Sequence, residues 1–163
     1  MAFDAYLKLE GVEGEATRKG MEKQINLLSF SWGASNSSSP IGTGAGAGKV
    51  SISDFNVMKW TDKASAKLFQ ACCSGKHFPK ATLTLMKAGG EQALDYLKYE
   101  FKELFVTSIQ WSGSSGGDDV PSESVSFSFA SVEVTYTEQK PDGTKGTPQV
   151  AGWDLKGSKA LGK

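Results

Sequence analysis

Side chains that commonly carry catalysis or hold metals are scarce in this 163-residue chain, and they gather in one place. The single histidine, His77, follows the only two cysteines, Cys72 and Cys73, by a few residues. A Cys–His nucleophile pair needs the imidazole within reach of sulfur and a third group to orient it. Here all three crowd the C-terminal end of a helical stretch, where the helix dipole disfavours a thiolate. The expectation is a pair of free thiols packing a helix and a surface histidine. Adjacent cysteines cannot staple distant segments, and they fit no C-x-x-C redox or zinc spacing. One imidazole also excludes a metal site that needs two histidines from one chain. The acidic pairs Asp118-Asp119 and Glu13/Glu15 adjoin glycines, and paired carboxylates do acid–base work only across a cleft of defined width. They are read as solvated loop charge. Trp32, Trp60, Trp111 and Trp153 suggest a sugar-stacking platform, but their spread over four strands or strand ends favours core and interface anchoring. No catalytic, cofactor or metal residue is assigned, and the chain is read as a non-enzyme.

The glycine-rich stretch IGTGAGAGKV invites a phosphate-binding reading and fails it on spacing. A P-loop requires glycine where Thr43 stands and serine or threonine where Val50 stands. The dinucleotide pattern G-x-G-x-x-G meets Ala47 or Lys49 at its third glycine, and a strand rather than a helix follows. Ser35–Lys49 is therefore expected to be a long excursion, and loops of that length in compact domains are usually functional or disordered.

The elements that would position these residues are mostly strands. Phe3, Ala5, Leu7 and Leu9 alternate with Asp4, Lys8 and Glu10; Leu28, Phe30 and Trp32 alternate with Ser29 and Ser31. VSISDFNVMKW and ATLTLMK supply further strands. DYLKYEFKELFVTSIQW is expected to hold two strand segments with a bend or bulge near Glu103 and Leu104, where the apolar phase blurs. In SVSFSFASVEVTYTEQ the apolar residues shift from odd to even positions, so a bulge or a change of sheet is expected near Ala130-Ser131. A strand within QVAGWDLK closes the series, with the tail GSKALGK expected to be mobile. One helix, TDKASAKLFQACCSGK, presents Ala64, Leu68, Ala71 and Cys72 as an apolar stripe. Thr61 or Asp62 is the expected cap and Gly75 the C′ residue. Seven or eight strands at this spacing suggest a sandwich or barrel in a single domain, 1–163.

Composition narrows the function. Eighteen Lys+Arg balance eighteen Asp+Glu, and Arg18 is the only arginine, which leaves no positive excess for a nucleic-acid backbone. No run approaches the roughly 18 apolar residues of a membrane span. The start, MAFDAYLKLEGVEGE, shows no classical signal peptide, so synthesis in the cytoplasm and export by another route are expected. Nineteen glycines and twenty serines divide between loops and polar strand faces. Ser29/Ser31 and Ser126/Ser128 in particular suit a wall wetted on one side.

Several segments, in order, resemble the haemolysin-coregulated protein (Hcp) family of bacterial type VI secretion. They are MAFDAYLKLEGVEGEATRKG, LLSFSWGASNSSS, GTGAGAGKV, TDKASAKLFQACCSGKHFPKATLTLMKAGG, LFVTSIQWSGSSGG, FASVEVTYTEQKPDGTKG and GWDLK. The resemblance spans the whole chain. It implies a mainly β, barrel-like fold of two sheets with one helix, shared with phage tail tubes. It also implies homohexameric rings that stack into a tube, tipped by a VgrG spike, driven by a contractile sheath, and carrying and protecting small effectors. By the same resemblance Ser31, with Ser29 on the same face, lies at the lumen where cargo is held. The excursion that includes Gly42, Thr43, Gly44, Gly46, Gly48 and Lys49 reaches neighbouring subunits or the next ring. The alternative from the residues alone is an autonomous β-sandwich module that binds carbohydrate or protein; a hydrolase has the least support.

Overall fold

The computed structural model describes residues 3–38, 48–87 and 93–161. In chain order its elements are β1 (Phe3–Leu9), β2 (Ile25–Leu27), β3 (Ser29–Ser31), β4 (Ala34–Asn36), β5 (Val50–Ile52), β6 (Phe55–Trp60), α1 (Ser65–Ser74), β7 (His77–Lys87), β8 (Asp95–Ser112), β9 (Ser122–Ser128), β10 (Ser131–Tyr136), β11 (Gln149–Asp154) and β12 (Lys159–Leu161). The expected seven or eight strands become twelve among the described residues, because stretches that alternate without interruption break where the chain changes partner.

All pairings are antiparallel, and they form a circuit. β2 pairs with β1, β1 with β7, β7 with β8, β8 with β9, β9 with β6 and β6 with β3. β3 follows β2 after one residue, Leu28, whose N–H donates to the Met58 carbonyl at 2.7 Å. The sheet thus returns on itself in a barrel-like wall, which protects edges that would otherwise template further pairing. An arm of β10, β11 and β12 extends from β8, and β4 with β5 forms a separate two-stranded ribbon.

β8 makes both the circuit and the arm possible. Its first half pairs with β10 through Lys102 and its second half with β9 from Phe105. Between them Glu103 takes a left-handed backbone, φ 55°, which β-strand residues other than glycine seldom adopt. The blurred apolar phase at Glu103-Leu104 marks this bend within one continuous strand. The phase slip at Ala130-Ser131 has the matching cause: β9 ends at Ser128, β10 starts at Ser131, and the two lie against different halves of β8.

Phe55 stacks on Phe101 with centroids 4.3 Å apart, and Trp32 packs edge-on against Tyr99, Phe101 and Phe129. Around this aromatic centre Leu7, Ile25, Val57, Leu83, Leu104, Val125 and Phe127 are buried. α1 closes one side with Ala64, Leu68 and Ala71, where truncating Leu68 to alanine costs about 2–5 kcal/mol. The opposite side of β1 and β7 is covered by the 10–24 segment, which packs Ala16 against Tyr6 and Met86. That cover explains why Thr84, which alternates with Leu83 and Leu85, is buried as well.

Four further expectations are corrected. Leu28 is exposed rather than on the inner face with Phe30 and Trp32, because it sits at the step between β2 and β3. Ala64, not Thr61 or Asp62, is the helix N-cap, although the Asp62 carboxylate still accepts the Ala64 N–H at 2.9 Å. Gly75 does end the helix in a left-handed conformation, its N–H on the Ala71 carbonyl. The tail is not simply mobile: Lys159–Leu161 pairs with Gly152–Asp154 as an edge strand. Finally, the excursion does not leave the fold at Ser35, since Ser35 and Asn36 pair with Ser51 and Val50.

Candidate functional site

The β3–β6–β9–β8 quarter of the wall has two faces with inverted chemistry. Residues directly opposite across a sheet share a face, so the registers can be read as rows. On the inner face Phe30, Val57, Val125 and Ile109 form one row and Phe55, Phe127 and Val106 another. On the outer face Ser29, Met58, Ser124 and Gln110 form a row, Ser31, Asn56, Ser126 and Ser108 the next, and Trp60, Ser122 and Ser112 a third. None of these eleven outer positions is charged. The Ser126 hydroxyl donates to Asn56 Oδ1, and the Ser112 and Ser122 hydroxyls meet at 3.2 Å. Ser29 and Ser31 are exposed at the start of these rows, while Ser126 and Ser128 are half-buried on the same side, opposite Val125 and Phe127.

The charge on these strands lies inside instead. Lys59 and Glu123 face each other across β6 and β9 and are 0% and 1% exposed. The Lys59 ammonium donates to Glu123 Oε1 at 2.5 Å, Asp62 Oδ1 at 2.9 Å, the Trp60 carbonyl at 3.0 Å and Ser65 Oγ at 3.2 Å. Ser65 donates to Glu123 Oε1 at 2.8 Å, and Thr61 donates to Glu123 Oε2 at 3.1 Å. Two carboxylates share one ammonium at the first turn of α1, where the positive end of the helix dipole favours the extra negative charge. Hydrogen bonds on both carboxylates make the burial tolerable. This knot ties α1 to β6 and β9. The residue reading did not find it, although Lys59 and Glu123 each stand at the apolar phase of their strand, which was the available signal.

The other candidates are scattered. His77 opens β7 and packs its ring on Phe105 at 5.2 Å; Cys72 is half-buried, Cys73 exposed, and both are free. No group of three or more His, Cys, Asp or Glu side chains able to hold a metal forms among the described residues. Glu13 pairs with Lys63 at 3.3 Å and Lys23 at 3.9 Å, and these lysines hold its carboxyl below the ordinary glutamate value. Asp118 and Asp119 line an open cleft of about 560 Å³ beside Trp60, remote in sequence and partners from Glu13. The tryptophans form no common platform. Trp32 is core, Trp60 is on the outer face, and Trp111 packs on Phe69 of the helix at 5.8 Å. Trp153 is half-buried in β11. Gly42, Thr43, Gly44 and Gly46 lie outside the described residues. Gly48 and Lys49 lie inside them, and Gly48 sits so close to the Ser38 backbone that a side chain there would collide with it. The Asn36 amide donates to the Gly48 carbonyl at 3.2 Å, which ties the two ends of the excursion together. No helix of the described residues is long and apolar enough to cross a membrane.

Comparison with known proteins agrees with the geometry. The family profile described as "Type VI secretion system effector, Hcp" matches residues 6–136. The chain is similar to protein hcp1 of Pseudomonas aeruginosa at 44% identity over 158 residues, covering 96% of this chain and 97% of that one. Its fold resembles a solved structure described as a type six secretion system protein, with TM-score 0.91, 36% identity, and coverage of 98% and 99%. It also resembles Hcp1 from Salmonella typhimurium, with TM-score 0.82, 36% identity, and coverage of 99% and 100%. With a matching profile across most of its length and a relative of such identity, the chain belongs to the Hcp family of type VI secretion system proteins.

Proposed function

We propose that this chain is a subunit of the type VI secretion inner tube, with residues 1–163 acting as one tube domain. Six copies close a ring, rings stack, and the lumen carries and shields small effectors without chemistry on them. The observation that carries the reading is the uncharged outer face of β3, β6, β9 and β8, with Ser29 and Ser31 exposed upon it. A surface of hydroxyls and amides suits a wall facing a wet channel that holds different cargo without committing to one charge pattern. Open edges support the assembly. β12 ends the arm, and the β4–β5 ribbon stands apart from the main sheet, so both offer backbone groups to a neighbouring copy. In this reading Gly48 and Lys49, at the base of the excursion, contribute to its contact with another subunit. The spike and sheath are partners by family membership, and delivery takes the protein out of the cell.

Light scattering on the purified full chain tests the assembly. A particle near six times the 17.4 kDa chain mass is expected, with end-on rings in negative-stain images. A strict monomer at high concentration would instead favour an autonomous binding module.

A further inference from the structure

The outer face holds two large side chains, Met58 and Trp60, both on β6 and 36% and 39% exposed. They are two residues apart on one strand, about 7 Å, so one incoming side chain can touch both. Their cross-strand neighbours are Ser29 and Ser124 beside Met58, and Ser122 beside Trp60.

We propose that Met58, with Trp60 beside it, anchors cargo on this face by accepting an apolar side chain from an uncharged stretch of polypeptide. This rests on the cargo reading above and specifies its chemistry. The three rows carry no charge, and the Asp118 and Asp119 carboxylates stand only at their Trp60 end, in the open cleft, so a charged side chain brought against Met58 would lose hydration without compensation. Hydroxyls and amides exchange hydrogen bonds with water almost evenly, and they contribute little net affinity. Apolar contact is then the main source of holding energy, and Met58 and Trp60 are its only large providers in the three rows. A thioether on three rotatable bonds adapts to different partner shapes, while the indole adds rigid contact area. Small hydroxyls around them leave room for varied outlines.

The test uses the assembled full-length protein labelled with 13C at the methionine methyl groups. Among the described methionines Met21 is half-buried and Met86 buried, so Met58 reports separately. Three short acetylated probe peptides share a central Leu-Phe pair in a Gly/Ser/Asn frame and differ only in net charge: neutral, basic or acidic. A fourth replaces Leu-Phe by Ser-Ser. The neutral Leu-Phe peptide is expected to shift the Met58 methyl resonance, and its affinity should change less than about twofold as salt rises across the screening range. The Ser-Ser peptide should leave it in place. Met58→Leu should retain binding and Met58→Ser should weaken it by about tenfold. Preferential, salt-sensitive binding of a charged peptide, or equal binding by Met58→Ser, overturns the proposal. So does a change in particle mass on Met58→Ser, which would make the stripe a contact between copies. A ring of the expected mass with a silent Met58 defeats this inference alone, whereas a monomer defeats the tube reading.

Discussion

The two sides of β6 and β9 reverse the ordinary arrangement of a half-buried sheet. Outward positions are serines, Asn56, Met58 and Trp60, while the inward set includes an ammonium and a carboxylate at Lys59 and Glu123. Ordinary patterning places charge in water and apolar groups inside. The inversion shows two separate demands on one pair of strands. Inside, a charged knot fixes where the helix begins, because an ammonium whose three N–H groups are shared among four acceptors has few alternative placements. Outside, the three rows carry no charge, as the proposed cargo face would require. The inner side is rigid and specific, and the outer side is permissive.

The comparison breaks most visibly at the knot. Glu123→Ala leaves the buried Lys59 ammonium with Asp62 as its one remaining carboxylate, and it is expected to lower unfolding free energy by about 3–5 kcal/mol in urea denaturation. A loss under about 1 kcal/mol would show that water reaches the site and that the rigid side is not rigid. The double variant Lys59→Met/Glu123→Leu sharpens the point. If the knot mainly specifies helix placement, stability should return to within about 2 kcal/mol of the parent, because apolar replacements remove the desolvation cost. A double variant as unstable as Glu123→Ala would mean the pair contributes net stability.

On the outer side, Ser126→Ala removes one hydrogen bond to Asn56 and should cost about 1 kcal/mol or less. Ser31→Gln should change stability by under about 0.5 kcal/mol and leave the ring mass intact while impairing cargo retention. Unchanged protection of a bound effector from proteolysis would remove Ser31 from the site.

The smallest effect is a pH control lying away from both faces. Burial pushes the Asp95 carboxyl up, but hydrogen bonds and charge from Lys145 at 2.6 Å and Lys98 at 2.9 Å more than offset it, leaving its pKa lowered. A lowered folded pKa contributes stability above the ordinary aspartate value, and that contribution disappears as pH falls through the lowered value. Asp95→Asn should therefore flatten the acid limb by a few tenths of a kcal/mol. An equal acid limb in the variant would assign acid sensitivity elsewhere.

Much of the fold was legible because strand alternation and its interruptions are local. The bend at Glu103 and the partner change at Ala130-Ser131 both announced themselves as slips of phase, since a one-residue slip turns every following side chain over. The steps between β2 and β3 were not legible, because Leu28 alternates correctly and is exposed only through its place in the circuit. The β12 strand was hidden in a short basic tail whose pairing depends on a partner earlier in the chain.

By themselves, the residues determined a β-rich chain with one helix and balanced charge, together with the motifs that mark its family. Alternation, glycine placement and composition are properties of neighbours in sequence. Only the tertiary structure decided that Lys59 meets Glu123 and that Ser29, Ser31, Asn56, Ser126 and Ser108 share one neutral surface. Those facts depend on register between strands far apart in the chain, which no local pattern specifies.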